Sequence, residues 1–178
     1  MNDQGELLAR PEPQRWTCQF TIPGMPVPKE RPRARIVTPH GKKPFISMYT
    51  DSKTREFEEL VGRLAKYAML GHPPMTRGVE LQVTIYVQIN PEWATWKRLA
   101  AEGNEIVPTV KPDISNVVKS IEDGMNKIVY LDDSQVISSD VVKLFHTGPS
   151  HTVVRVRDSG RVASTVSSRA EFEALLHG

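Results

Sequence analysis

Cysteine is nearly missing: Cys18 is the only one in 178 residues. A single thiol excludes an internal disulfide and a cysteine-ligated zinc site, and it fits a reducing cytosol. Long apolar runs are also missing, so no segment approaches the length that spans a bilayer. Met1 to Arg15 has no apolar core and carries Pro11 and Pro13. It reads as a flexible polar arm and not as a secretory signal. The five histidines, His40, His72, His146, His151 and His177, are scattered without a zinc-ligand spacing. That pattern favours a hard cation over zinc. Internal repeats and low-complexity tracts are absent as well. With 39% apolar and 25% charged residues, the chain supports one folded domain and is short for two.

Charge is present but unevenly placed. The net charge is only +2, yet Lys29 to Lys43 holds six basic residues and one acidic one, Glu30. Asp113 to Asp140 holds six acidic residues against Lys119 and Lys127. A basic stretch beside a carboxylate cluster suits a metal-dependent nuclease, in which the bases hold phosphates and the acids hold the cation. Charges that simply coat a surface give the same composition.

Periodicity places the elements. Trp16 to Ile22 alternates as a strand closed by Pro23 and Gly24. Pro26 to Pro32 is extended, because its prolines forbid a helix. Arg33 to Val37 and Pro44 to Tyr49 pair as a hairpin across His40–Gly41–Lys42. Phe57, Leu60, Val61, Leu64, Ala65, Ala68 and Met69 predict a helix capped by Asp51 or Ser52 and stopped by Gly71. Val79 to Ile89 alternates as a half-buried strand. Asn90 to Thr109, with Trp93 and Trp96, reads as a loop or short helix. Ile114, Val117, Val118, Ile121 and Met125 form the stripe of a second helix. Val136 to Phe145 and Thr152 to Arg157 read as strands, and Ser168 to Glu171 is a capping box before a terminal helix. The expected architecture is α/β (α+β): residues 16–178 form a single domain whose mixed sheet is covered on one face by the two main helices.

Two acidic segments carry the candidate chemistry. Lys111–Pro112–Asp113–Ile114–Ser115–Asn116–Val117–Val118–Lys119 opens the second helix. Asp113, Asn116, Ser120 and Asp123 recur at spacings of three and four, with Lys119 beside them. An aspartate at a helix start needs no function beyond capping, and a polar helix face needs none beyond solvation. Leu131–Asp132–Asp133–Ser134–Gln135–Val136 is either a plain turn or a second carboxylate delivered to Asp113. Oxygen ligands from separate segments are what magnesium takes. Lys29, Arg31, Arg33 and Arg35 fall at odd positions, so an extended chain projects them to one side, and with Lys42 and Lys43 they would contact several phosphates. The alternative for that stretch is a solvated, proline-stiffened arm. Trp93 and Trp96 would stack on unpaired bases or serve a core or dimer contact.

These motifs together resemble the RusA-type crossover junction endodeoxyribonucleases. The resemblance runs through Ile22-Pro-Gly-Met-Pro-Val-Pro-Lys-Glu-Arg-Pro-Arg33, Tyr49-Thr50 to Lys53-Thr54, Lys111 to Lys119, Asp123 and Leu131 to Val136, in the family's order from roughly Phe20 to Phe145. It implies an α/β homodimer that binds four-way (Holliday) DNA junctions and makes paired nicks with magnesium, or manganese in its place, held by aspartates. By resemblance Asp113 is the first aspartate of the Asp-x-Asp-Asn pattern, Asn116 its asparagine, Lys119 the essential lysine and Asp133 the catalytic member of the downstream pair. Asp123 matches a recurring acid within the helix. Ser115 stands where the family commonly has the second aspartate, and a neutral hydroxyl is a poor cation ligand. Either Asp132 or Asp123 compensates, or cleavage is weak or lost while junction binding survives. A nuclease for flaps or replication forks is a third reading.

Overall fold

In a computed structural model of the protein, residues 16–31, 33–38, 40, 41, 43–49, 51–162, 164 and 168–177 are described. The expected arm at 1–15 and Lys42 lie outside them. Strand β1 (Thr17–Pro23) buries Cys18, Phe20 and Ile22 and turns Thr17, Gln19 and Thr21 outward. A two-stranded hairpin, β2 (Arg33–Val37) and β3 (Phe45–Tyr49), forms its own small antiparallel sheet. Helix α1 (Ser52–Ala68) starts as expected, with the Asp51 carboxylate accepting from the backbone N–H of Lys53 at 3.1 Å. Beyond it, Leu70 and Gly71 take positive φ values of 49° and 82° and turn the chain away.

The main sheet has the order β1-β6-β4-β5, built from β4 (Val79–Gln88), β5 (Val136–His146) and β6 (His151–Asp158). Strand β4 pairs antiparallel with β6 and parallel with β5, so the sheet is mixed. A parallel neighbour needs a long crossover. Asn90–Gln135 supplies it, carrying α2 (Thr95–Glu102) and α3 (Ile114–Met125). The stretch expected to be loop or short helix is therefore partly helical. A last helix, α4 (Arg169–His177), begins with Ser168 Oγ accepting from the backbone of Glu171.

One sheet face is core and the other is polar. Val79, Leu81, Val83, Ile85, Val154 and Val156 pack with Phe57, Val61, Ala65, Ile121 and Met125 of α1 and α3. On the outer face Arg157 bonds Glu80 and Arg155 bonds Gln19 across neighbouring strands. Burial pushes the Cys18 thiol up to about 11, which makes it an inert core residue. Edge strand β5 places Lys143 opposite buried Ile85, on the core side, where its ammonium donates to the carbonyls of Val110 and Pro112.

Helix α3 is rotated relative to the apolar stripe read from sequence. Val117, Ser120, Ile121, Gly124 and Met125 are its buried positions, whereas Ile114 is 36% exposed. The cause is Gly124, which meets α1 where Gly62 lies: a Cβ at Gly124 would stand 2.7 Å from Cβ of Val61 and 2.8 Å from the backbone O of Glu58. Two helices that touch at glycine approach too closely for a polar surface between them. Ser120 therefore belongs to the core and not to the polar face shared by Asp113, Asn116 and Asp123.

Candidate active site

Three segments meet on the exposed side of α3. The chain Pro26–Arg31 is clamped between the two main helices. The backbone N–H of Lys29 donates to the carbonyl of Asn116 at 2.8 Å, and buried Thr54 of α1 reaches the carbonyl of Pro28 at 3.5 Å. This clamp explains why extended prolines and a helix start occupy one place. They border an open groove of about 900 Å³, lined by Lys29, Arg31, Lys111, Pro112, Asp113 and Asn116.

The third segment is the turn after α3. Asp133–Gln135 is a single 3-10 turn capped by Asp132, whose side chain accepts from the backbone N–H of Ser134 at 3.0 Å. Gln135 ties this turn down at four points. Its Oε1 accepts from the N–H groups of Leu131 (2.8 Å) and Asp132 (3.0 Å), and its Nε2 donates to the carbonyls of Met75 (3.0 Å) and Arg77 (2.8 Å). Replacing Gln135 by alanine is expected to destabilise the protein by about 2 kcal/mol, since backbone groups lose their partners. Urea unfolding measures this, and an unchanged midpoint would contradict it.

The turn presents Asp133 to Lys119, whose ammonium bonds Asp133 and lies 3.1 Å from Oδ1 of Asp123. The other Asp123 oxygen is 2.9 Å from Nζ of Lys29, which also bonds Glu58. The hydrogen bond to Asp133 pushes the Lys119 ammonium well above the ordinary lysine range, with burial opposing and Asp123 adding. Burial pulls Lys29 down, but Glu58 and Asp123 outweigh it and its net shift is upward. Burial pushes Asp123 up, and the two lysines more than reverse that. Hydrogen bonds from Ser134 hold the Asp132 carboxyl below its usual range. Two carboxylates thus hold the Lys119 ammonium in its charged form.

The residues selected from sequence divide into two groups. Lys29, Lys119, Asp123 and Asp133 are brought together. Asp113 and Asn116 open onto the groove, and Asp113 makes no side-chain capping bond although it is the N-cap residue of α3. Arg31 lines the same groove. Lys43 is exposed near the hairpin. Strand β2 carries Arg33 and Arg35, whose side chains lie outside the described portion. Trp93 packs edge-on against Phe145 with the Lys97 ammonium 3.9 Å above its ring, and Trp96 is 69% exposed. Sequence reading missed Glu58, Lys111, Lys143 and Gln135. Only Gln135 carried a signal, as the fourth residue of an Asp-x-x-Gln capping box.

Residues 23–157 match the family model described as Endodeoxyribonuclease RusA. The chain belongs to this family. A protein of Bacillus subtilis (strain 168), the uncharacterized YqaN, is 32% identical over 136 residues, covering 74% of this chain and 89% of YqaN. The matched region contains every element from the proline clamp to β5 and all of β6 but its last residue, so all side chains of the cluster and groove lie in the part shared with the RusA family.

Magnesium is the cation that the resemblance implies, and the aspartates offer hard carboxylate oxygens of the kind it takes. Among the described residues no three Asp, Glu, His or Cys side chains gather into a metal-binding cluster, so the four aspartates form no preassembled cage. Magnesium needs less, because it keeps several waters and takes one or two carboxylates together with substrate phosphate. Asp113 at the groove and Asp132 on the exposed turn offer hard oxygen donors, and Asp133 has one oxygen beyond the one on Lys119. Asp123 fits poorly, since both of its oxygens face ammonium groups.

Proposed function

We propose that this protein is a magnesium-dependent endonuclease that binds four-way DNA junctions and resolves them by paired symmetric nicks in recombination and repair. The observation that carries this reading is the Lys119 ammonium, fixed by Asp133 and Asp123 beside a basic groove bearing Asp113 and Asn116. Asp113 and Asp133 would hold the cation, with Asp132 as a further donor. When bound, the cation supplies Lewis acidity toward the phosphate and lowers the pKa of a coordinated water. The chain's own part is electrostatic. Lys119 meets negative charge that develops on the phosphate oxygens, and Asn116 offers an amide to the same groove. Arg31 and Lys111 face backbone phosphates, with Arg33, Arg35, Lys42 and Lys43 extending that contact.

Two opposed cuts require two sites related by a two-fold axis, so the functional unit in this reading is a homodimer. Trp96 and Leu99, one turn apart on α2 and both exposed, offer apolar surface to a partner. The deciding experiment incubates a synthetic four-way junction with and without magnesium. Symmetric nicks that need the cation are expected. A shifted but uncut junction would support a junction-binding protein instead.

That second reading has a specific observation behind it. Ser115 lies exposed in the first turn of α3, and among the described residues no group of three Asp, Glu, His or Cys side chains makes up for the carboxylate that its position lacks. Ser115→Asp is expected to lower the magnesium concentration needed for half-maximal cleavage by about tenfold, the equivalent of one good charge contact. Equal rates and equal magnesium dependence would show that position 115 has no part in cation binding.

A further inference from the structure

We propose that Lys29 is a positioning residue for strand cleavage, acting through Asp123 to hold the Lys119 ammonium in place, and that it is not a phosphate contact. The inference rests on the nuclease reading above. Its origin is a conflict between the sequence around Lys29 and the surroundings of its side chain. In sequence, Lys29 opens the basic stretch that continues through Arg31 and Arg33, and such a stretch suggests backbone phosphates. In the structure its ammonium is already committed. An ammonium has three N–H donors. The Lys29 group bonds Glu58 of α1 and lies 2.9 Å from Asp123 of α3, with only about a quarter of the side chain exposed. Its backbone N–H is also fixed, to Asn116.

The consequence concerns Lys119. Glu58, Lys29, Asp123, Lys119 and Asp133 form one chain of side chains that alternate in sign, drawn from α1, the proline clamp, α3 and the 3-10 turn. A lysine ammonium is a point charge on a flexible four-carbon stem, so its location is set by the anions around it. Lys119 stands between two of them. Asp123 shares its charge with Lys29 and therefore competes less for Lys119. Without Lys29, Asp123 keeps one partner in place of two and draws Lys119 away from Asp133, toward the interior of the cluster. Displacing a catalytic charge by about 1 Å costs on the order of 100-fold in rate.

The test compares Lys29→Met with the unsubstituted protein on a synthetic four-way junction, reading cleavage kinetics in magnesium and binding against salt in chelator. Lys29→Met is expected to lower kcat about 100-fold with KM little changed, and to leave the salt slope of binding as it was. Lys29→Arg, which keeps the charge, is expected to restore most of the rate. Arg31→Ala serves as the comparator for a phosphate contact and should make the slope shallower by about 0.9. A Lys29→Met protein with unchanged kcat and a slope shallower by that amount would overturn the inference alone. Failure of the unsubstituted protein to cut any branched DNA would overturn the nuclease reading and this inference with it. Should Lys29→Met not fold, Lys29→Gln removes the same charge while keeping a polar side chain beside Glu58 and Asp123. It must then show the kcat loss, and an unchanged kcat refutes the role.

Discussion

Replacing Lys119 by methionine should slow strand cleavage by about 10²–10³-fold, the usual cost of removing one preorganised charge from a transition state, while junction binding in chelator stays nearly the same. Methionine keeps most of the apolar stem, so α3 loses no packing. Binding is expected to survive because the Lys119 charge is already balanced by Asp133 and Asp123 and adds little to the long-range attraction of DNA. In the proposed reading the effect falls on the chemical step, because there the phosphate oxygens gain charge that the ammonium would meet. Single-turnover cleavage of a labelled junction separates the two effects. A rate within a factor of about two of the parent would remove Lys119 from the chemistry.

The second large effect concerns the contact that holds the site together. Gly124→Ala is expected to destabilise the protein by about 3 kcal/mol or more, at the upper end for overpacking. In a chain of this size that lowers the melting temperature by roughly 10 °C. The added Cβ would stand 2.8 Å from the backbone O of Glu58 and 2.7 Å from Cβ of Val61, and neither atom can rotate away. Separation of α1 from α3 follows, and it reaches the site directly, because Glu58 and Asp123 are the two anions on Lys29. Gly148→Ala is a fair contrast. There the new atom meets only the imidazole of His146, the end of a side chain, and a much smaller loss is expected. Equal melting temperatures for the two variants would show that the helices can part without harm.

Much of this molecule is legible in its residues, for identifiable reasons. Alternation in Val79 to Ile89 and helical spacing from Phe57 to Met69 each report one buried face, and β4, which ends at Gln88, and α1 lie where those patterns place them. Helix α3 spans Ile114–Met125 as read, but its rotation was hidden. A glycine counts as neutral in an apolar stripe, whereas here Gly124 marks the point of closest approach and carries Ser120 inward. The acidic motifs singled out Lys119 and Asp133 as candidates, and the structure adds that they touch. The role of Lys29 could not be read from its neighbours, since Glu58 and Asp123 lie far from it along the chain. Gln135 shows the same limit, as the carbonyls of Met75 and Arg77 belong to a loop about 60 residues earlier.

Lys143 has a consequence beyond the groove it helps to shape. It stands on the core side of β5, the outermost strand, with its amine turned toward the carbonyls of Val110 and Pro112. An unprotected outermost strand invites another chain to add on and begin aggregation, and a charge aimed inward is one way that sheets prevent this. A foreign strand laid along β5 would have to strip that amine of its carbonyls or bury it bare. The opposite margin, β1, ends in Pro23, which has no N–H to offer. Among the described residues each outer strand thus carries one such feature, and on β5 it is the residue that anchors the approach to Asp113.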